Sequence, residues 1–158
     1  MNKFVLPFSL LFLVFSGLSC LKDGTAACTP KTPASEAAQM EAYCAGNGIT
    51  RTIHPTGLFY QIMNPGSGPT ASANSTIQIT YVGKLIDGTV FDQQSNASLT
   101  GWPLNQLIEG WRVGIPLIQK GGQIKLVVPS SMAYGCSGYG TIPGNAILFF
   151  DITLVNVQ

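Results

Sequence analysis

Alternating apolar and polar residues, interrupted by glycine, constrain the fold of this chain more than any other feature. Five stretches have the composition of β-strands: residues 58–63, 76–81, 90–92, 123–128 and 147–157. In the second stretch Ile77, Ile79 and Tyr81 fall on one face, because successive side chains of a strand point to opposite sides. We expect these three side chains to face the core.

A short helix is predicted between the third and fourth strands. Trp111, Ile115 and Ile118 recur at i, i+4 and i+7 and so share one helical face, while Pro116 should end or bend the helix. Four apolar residues on one face of the last strand would be covered by it: Leu148, Phe150, Ile152 and Leu154. The pattern predicts an α+β fold in which a twisted antiparallel β-sheet wraps around one short α-helix.

Glycines indicate where the sheet turns or bends. Gly83 interrupts the alternation of the second strand, which favours a β-bulge. Asp87 and Gly88 form a tight hairpin signal, because both residues tolerate positive φ. Gly121 and Gly122 are expected to turn the chain from the helix into the fourth strand.

The first nineteen residues have the composition of a signal peptide. Lys3 supplies a positive start, and residues 4–18 form a mostly apolar run of 15 residues, which is short for a membrane span. A small residue then directly precedes Cys20, an arrangement that resembles the lipobox of bacterial lipoproteins. We expect export with lipidation of Cys20, giving a periplasmic or outer-membrane lipoprotein that touches the membrane through its lipid only. Secretion with an unlipidated Cys20 is the alternative.

Residues 20–50 are predicted to form a tether and one short N-terminal helix. Residues 21–34 lack an apolar period and resemble a linker, whereas Ser35 has the character of an N-cap for a helix over residues 36–45. Met40, Tyr43 and Cys44 share one face of this helix, so we expect it to pack on the domain formed by residues 51–158. A loosely docked arm is the alternative.

The cysteines allow several disulfides in an exported chain. If Cys20 is acylated, three thiols remain and one stays unpaired. Cys28 with Cys44 is the favoured pair because the two bracket the predicted helix, but Cys136 with either is also sterically feasible. A metal site is disfavoured, because His54 is the only histidine and no close Cys or His pair exists.

The charge of the chain argues against nucleic acid as a partner. Charged residues make up 9% of the sequence, with eight Lys and Arg against seven Asp and Glu. No basic stripe is present that could follow a phosphate backbone.

Six short blocks carry a family resemblance. They are Tyr81-Val82-Gly83, Gly88-Thr89-Val90-Phe91-Asp92, Ile108-Glu109-Gly110-Trp111, Ala133-Tyr134-Gly135, Ile142-Pro143 and Phe150-Asp151. In order and approximate spacing they resemble the FKBP family of peptidyl-prolyl isomerases. The resemblance implies the same α+β fold for residues 51–158 and an activity on proline-containing polypeptides, with tacrolimus-like macrolides as inhibitors and no cofactor.

The resemblance also assigns roles to nine residues. Four supply aromatic walls of a pocket: Tyr81, Phe91, Phe150 and, at its floor, Trp111. Leu107 and Ile108 close one side. The Ile108 N–H and the Tyr134 hydroxyl match the donors to substrate carbonyls, Asp92 matches the pocket carboxylate, and Ile142 lies in the overhanging loop. Trp102 lies near the place of a further family aromatic.

Two departures from the family pattern alter the expected pocket. Residues 93–98 contain no arginine to pair with Asp92, which would then depend on the Tyr81 hydroxyl alone. Tyr139 stands where family members often have histidine or a small residue, and residues 138–141 form a loop one residue shorter. We expect drug affinity and substrate preference to change more than basal turnover.

Three functions are compatible with the sequence. The favoured one is an exported prolyl isomerase that assists protein folding, because the pocket set is complete. The alternatives are a non-catalytic FKBP-like binding module or chaperone and a purely structural surface lipoprotein.

Overall fold

The computed structural model describes residues 28–158, so the predicted signal peptide and Cys20 lie outside the described residues. Two α-helices and seven strands follow one another along the chain: α1 (Pro33–Gly46), β1 (Thr52–Ile53), β2 (Phe59–Asn64), β3 (Thr76–Leu85), β4 (Val90–Gln94), β5 (Trp102–Pro103), α2 (Glu109–Gly114), β6 (Gln123–Val128) and β7 (Leu148–Val157). Single 3-10 turns also occur: Ala97–Leu99, Leu104–Gln106, Ile115–Leu117 and Ser130–Met132.

The seven strands form one antiparallel sheet. Their order is β1-β2-β6-β7-β3-β4, and β5 pairs with the start of β3. The predicted fold class is therefore confirmed. The two long strands β3 and β7 pair along most of their length, with Tyr81 opposite Ile152 and Gly83 opposite Phe150, and they place these residues on the face that α2 covers.

The main core lies between this face and α2. Ile77, Ile79 and Tyr81 are all buried, as predicted. Ile115 and Ile118 are buried in the same cluster. The α-helix itself ends at Gly114 and continues as a 3-10 turn that contains Pro116, because proline lacks the N–H that a further helical bond requires.

Gly110 lets α2 approach the sheet closely, which gives a testable prediction. A Cβ at this position would overlap with Val128 Cγ1. Gly110→Ala is therefore expected to lower the free energy of unfolding by about 1–3 kcal/mol in urea titrations. Gly46→Ala is the matched control, since nothing lies within 4 Å of its added Cβ, and should stabilise α1 by about 0.4–1 kcal/mol. Equal stability of the two variants would contradict this packing.

The glycine signals in the sheet are confirmed. The pairing of β3 with β4 shifts register between Gly83 and Lys84, as a bulge requires. A Cβ on Gly83 would lie 2.8 Å from the Phe91 ring, so the glycine also lets that ring approach. Gly88 has φ +94 in the turn between β3 and β4, where the Leu85 N–H donates to the Thr89 carbonyl at 2.9 Å.

The N-terminal helix begins earlier than predicted. Thr32, not Ser35, is the N-cap: its Oγ1 accepts from the Ser35 N–H at 3.2 Å, and Ser35 Oγ accepts from the Thr32 N–H at 3.1 Å. Pro33 fits the first helical position because its missing N–H would have no partner there. The predicted tether is therefore too long at its C-terminal end.

The apolar face of α1 packs on the following domain, as predicted, and it does so on the side of the sheet opposite α2. Met40 is fully buried in a second cluster that includes Phe59 and Val127. The rings of Tyr43 and Phe149 lie 5.6 Å apart. The helix is thus part of the folded domain.

The favoured disulfide was wrong. Cys28 pairs with Cys136, with Cα atoms 5.5 Å apart, and Cys44 is a free, buried thiol. The reason is the orientation of α1: Cys44 is on the face that packs on the sheet, whereas Cys28 precedes the helix and lies beside the loop that follows Tyr134. In the same region Asn145 Nδ2 donates to the Thr29 carbonyl at 3.1 Å.

Candidate functional site

A cavity of about 320 Å³ opens between α2, the inner face of the sheet and the loops beside them. Its lining residues are mostly aromatic or aliphatic: Tyr81, Phe91, Asp92, Trp102, Pro103, Gln106, Leu107, Ile108, Trp111, Tyr134 and Phe150. Eight of the nine residues predicted from the sequence are among them. Ile142 is the exception, since its side chain is buried in the main core, while its backbone exchanges hydrogen bonds with Tyr139.

A larger depression of about 570 Å³ lies on the opposite face of the sheet. It is lined by residues that alternate with the core positions of β3 and β7, including Thr80, Val82, Lys84 and Asp151. This surface is more polar than the smaller cavity and lacks its cluster of aromatic rings, whereas small-ligand sites have a predominantly apolar and aromatic lining. We therefore place the candidate site in the smaller cavity.

Trp111 forms the centre of the aromatic lining. It projects from α2 and is only 5% exposed. Its ring meets Tyr81 at 5.0 Å and 75° and Phe150 at 5.1 Å and 80°, both edge-to-face geometries. The Trp102 ring lies 6.5 Å away in a stacked arrangement, with 28° between the ring planes. Strands β3, β5 and β7 thus hold three rings around the one that the helix supplies.

Asp92 accepts a hydrogen bond from Tyr81 in the cavity wall. The distance from Tyr81 Oη to Asp92 Oδ2 is 2.6 Å, in the range of a charge-assisted bond. The prediction that Asp92 pairs with the Tyr81 hydroxyl, in the absence of an arginine, is confirmed. Burial, followed by the hydrogen bond and the charge of Asp92, raises the pKa of Tyr81 well above its usual value.

The raised pKa of Tyr81 predicts that the protein loses stability at alkaline pH. Above about pH 10 the unfolded chain releases the Tyr81 proton while the native protein retains it, so the free energy of unfolding falls as pH rises. Tyr81→Phe should make this decline shallower, with the residual slope coming from Cys44, Tyr43 and Tyr134, whose pKa values burial also raises. Denaturant titrations between pH 9 and 11 test it, and identical slopes for the two proteins would contradict it.

Two hydrogen-bond donors face this region from different elements. Ile108 directly precedes α2, and its N–H makes no hydrogen bond within residues 28–158, while its carbonyl accepts from Trp111 and Arg112. The Tyr134 hydroxyl likewise has no hydrogen-bond partner within the described part of the chain. Burial and the nearby Asp92 raise the pKa of Tyr134, so this hydroxyl keeps its proton at neutral pH and can donate.

Comparison with known proteins identifies the family. The family model for FKBP-type peptidyl-prolyl cis-trans isomerases matches residues 68–155, more than half of the chain. This chain belongs to that family. The FKBP match runs from before β3 into β7 and includes β4, β5, α2 and β6, so it contains all of the lining residues of the cavity.

Bacterial members of the FKBP family are similar over a larger part of the chain. The isomerase FkpA of Aeromonas hydrophila is 38% identical over 121 residues, which are 75% of this chain and 45% of the relative. FkpA of Escherichia coli K12 is 42% identical over 107 residues, which are 65% and 38% of the two chains. This chain thus spans less than half the length of these relatives.

Solved structures of FKBP-type proteins have the same fold. The crystal structure of FkpA from Escherichia coli superposes with a TM-score of 0.68 and 35% identity, covering 80% of this chain and 61% of that one. A peptidyl-prolyl isomerase from Pseudomonas syringae gives 0.67 and 29% identity, covering 82% and 98%.

The sequence did not single out two residues of this FKBP pocket, Pro103 and Gln106. Pro103 belongs to the two-residue strand β5, which is too short to show periodicity, and Gln106 ends a single 3-10 turn. Their only signal was proximity to Trp102 and Leu107.

Tyr139 distinguishes the rim of this FKBP pocket. Its ring stacks on Tyr134 at 5.3 Å and 15°, and it is 71% exposed. Two glycines with positive φ, Gly138 and Gly140, flank it. The pair extends the aromatic surface beyond the cavity.

Within residues 28–158 there is no helix long and apolar enough to cross a membrane. The same residues contain no group of three or more His, Cys, Asp or Glu side chains placed to hold a metal ion.

Proposed function

We propose that the protein is a peptidyl-prolyl cis-trans isomerase that rotates Xaa-Pro bonds of exported polypeptides within the aromatic cavity. The observation that carries this proposal is the cluster of aromatic rings around Trp111 in the cavity wall, with two unused donors beside it. Family membership supports the same conclusion.

The reaction needs little more than such an environment. The bond before proline has partial double-bond character, and rotating it costs about 18–20 kcal/mol, so uncatalysed exchange takes tens to hundreds of seconds. In the twisted state the nitrogen loses resonance with the carbonyl, and charge separation falls. A dry aromatic cavity therefore disfavours the twisted state less than water does. No nucleophile or proton transfer is required.

Hydrogen bonds must also select the twisted state, because only interactions stronger in the transition state accelerate a step. The Ile108 N–H and the Tyr134 hydroxyl supply donors for substrate carbonyls on either side of the rotating bond. Asp92, which accepts a hydrogen bond from Tyr81, places a negative charge beside the substrate proline ring that would pack on Trp111. This arrangement fixes the chain while the imide turns.

An exchange assay tests the proposal. The folded protein should accelerate cis-trans isomerisation of an Xaa-Pro test peptide, and tacrolimus should block this acceleration. A folded sample that binds tacrolimus but leaves the peptide at its uncatalysed rate would contradict the enzyme and favour a binding module.

Export and lipidation form the second part of the proposal. The composition of residues 1–19 supports export, and a disulfide between Cys28 and Cys136 suits an oxidising compartment. Cys20 would then be the lipidated first residue. Mass spectrometry of the mature protein isolated from its native host should show an acylated Cys20, and an unmodified Cys20 would refute the anchor.

A further inference from the structure

The segment before β1 is joined to the loop that carries Tyr134. We call residues 28–49 the N-terminal segment and residues 129–147 the tyrosine loop. The contacts that join them include the disulfide from Cys28 to Cys136, the hydrogen bond from Asn145 to the Thr29 carbonyl, and a hydrogen bond from the Ser130 N–H to Glu36 Oε2 at 2.8 Å.

The contact between Glu36 and Ser130 is the most deeply buried of these. Glu36 lies on the first turn of α1 and is only 1% exposed. Its hydrogen bond to Ser130 joins residues that are 94 positions apart in sequence. Burial of a carboxyl group costs free energy unless hydrogen bonds replace its hydration. An apolar side chain would dock the helix at lower cost. What the carboxyl adds is a directional contact with one backbone N–H.

Ser130, which donates to Glu36, also accepts hydrogen bonds from the two residues that flank Tyr134. The Ser130 carbonyl accepts from the Ala133 N–H at 3.1 Å and from the Gly135 N–H at 2.8 Å. Glu36 thus holds one end of a short hydrogen-bonded turn whose other end fixes the backbone on both sides of Tyr134. Glu36 itself does not line the cavity.

We propose that Glu36 is a positioning residue for Tyr134, acting through Ser130. The N-terminal segment, which lies outside the family-matched residues 68–155, thereby sets the position of a substrate hydrogen-bond donor. No residue of that segment lines the cavity. This inference rests on the proposed function, because Tyr134 matters only if its hydroxyl is used.

A double-mutant cycle separates positioning from general destabilisation. In the full chain, Glu36→Ala should lower kcat for an Xaa-Pro peptide by about fivefold, a coupling typical of residues in one hydrogen-bond network. The same substitution in a Tyr134→Phe background should change kcat less than about twofold, because the donor is already gone. An equal loss in both backgrounds, or no loss in either, would overturn the proposal.

Two further variants sharpen the cycle. Glu36→Gln keeps an acceptor oxygen and should recover at least half of the lost rate; a Gln variant as slow as the Ala variant would contradict the role of this bond. Glu41→Ala is the control on the same helix, because Glu41 pairs with Arg51 at the surface and its side chain is 48% exposed. It should leave kcat unchanged.

Amide hydrogen exchange gives a readout that does not depend on activity. Glu36→Ala should accelerate exchange at Ala133 and Gly135 at least about tenfold relative to wild type, while Glu41→Ala should not. If the wild-type protein fails to isomerise the peptide, the proposed function fails, and exchange still decides whether Glu36 holds the tyrosine loop. Unchanged exchange at both amides would overturn the proposal. If Glu36→Ala does not fold, Glu36→Gln is compared with wild type instead and should accelerate exchange at both amides by less than about tenfold, whereas exchange equal to wild type would overturn the proposal.

Discussion

Trp111→Ala is expected to lower the free energy of unfolding by about 3–5 kcal/mol, the range for removing a large buried aromatic side chain. The same change should weaken tacrolimus binding by at least about 2 kcal/mol, as for the central residue of an interface. Both effects have one cause: Trp111 is buried and contacts Tyr81, Trp102 and Phe150. Urea unfolding and calorimetric titration measure the two losses.

Trp111→Phe is the matched variant. It keeps an aromatic ring at the floor of the pocket, so it should stay folded if the alanine variant does not, and it should bind the macrolide with intermediate affinity. Unchanged affinity in a folded Trp111→Ala protein would remove Trp111 from the site.

Reduction of the disulfide is expected to be the second large effect. Cys28 and Cys136 are 108 residues apart in sequence, and cross-linking a loop of this length restricts the unfolded chain by up to about 4–5 kcal/mol in the chain-entropy description. Cys136→Ser should therefore lower the free energy of unfolding by about 2–5 kcal/mol. Unfolding with and without reductant should differ for the wild type and coincide for the variant.

Cys44→Ala is the control for this experiment, because Cys44 is free. Its stability should still fall on addition of reductant. Peptide mapping of the unreduced protein should recover Cys28 linked to Cys136. A peptide that links Cys28 to Cys44 would contradict the structure.

The long strands could be predicted because one face of each is buried. In β3 and β7 the alternation of side chains records which residues face the core, and the structure confirms Ile77, Ile79 and Leu154 there. Strands β1 and β5 have two residues each, so neither is long enough to show an alternation of apolar and polar side chains. Their existence depends on pairing with neighbours distant in sequence.

The disulfide could not be deduced from the sequence, because it depends on how α1 docks. Spacing favoured Cys44, whereas burial of that thiol against the sheet leaves Cys28 beside Cys136. Glu36 is a similar case. In sequence it resembles any acidic residue in the first turn of a helix, and only the fold brings it to Ser130.

The pocket was largely predictable because its residues occur in short blocks that the family shares. The sequence also indicated where this pocket differs, at Asp92 and Tyr139. The structure adds a physical basis: Asp92 accepts from Tyr81, and Tyr139 stacks on Tyr134.

Exchange NMR of an Xaa-Pro peptide with a small amount of protein tests the isomerase activity, since it observes rotation and binding in one sample. We expect faster cis-trans exchange, a shift of the Trp111 indole resonance on peptide addition, and loss of both with tacrolimus. A peptide that shifts the indole resonance but exchanges at its uncatalysed rate would contradict it.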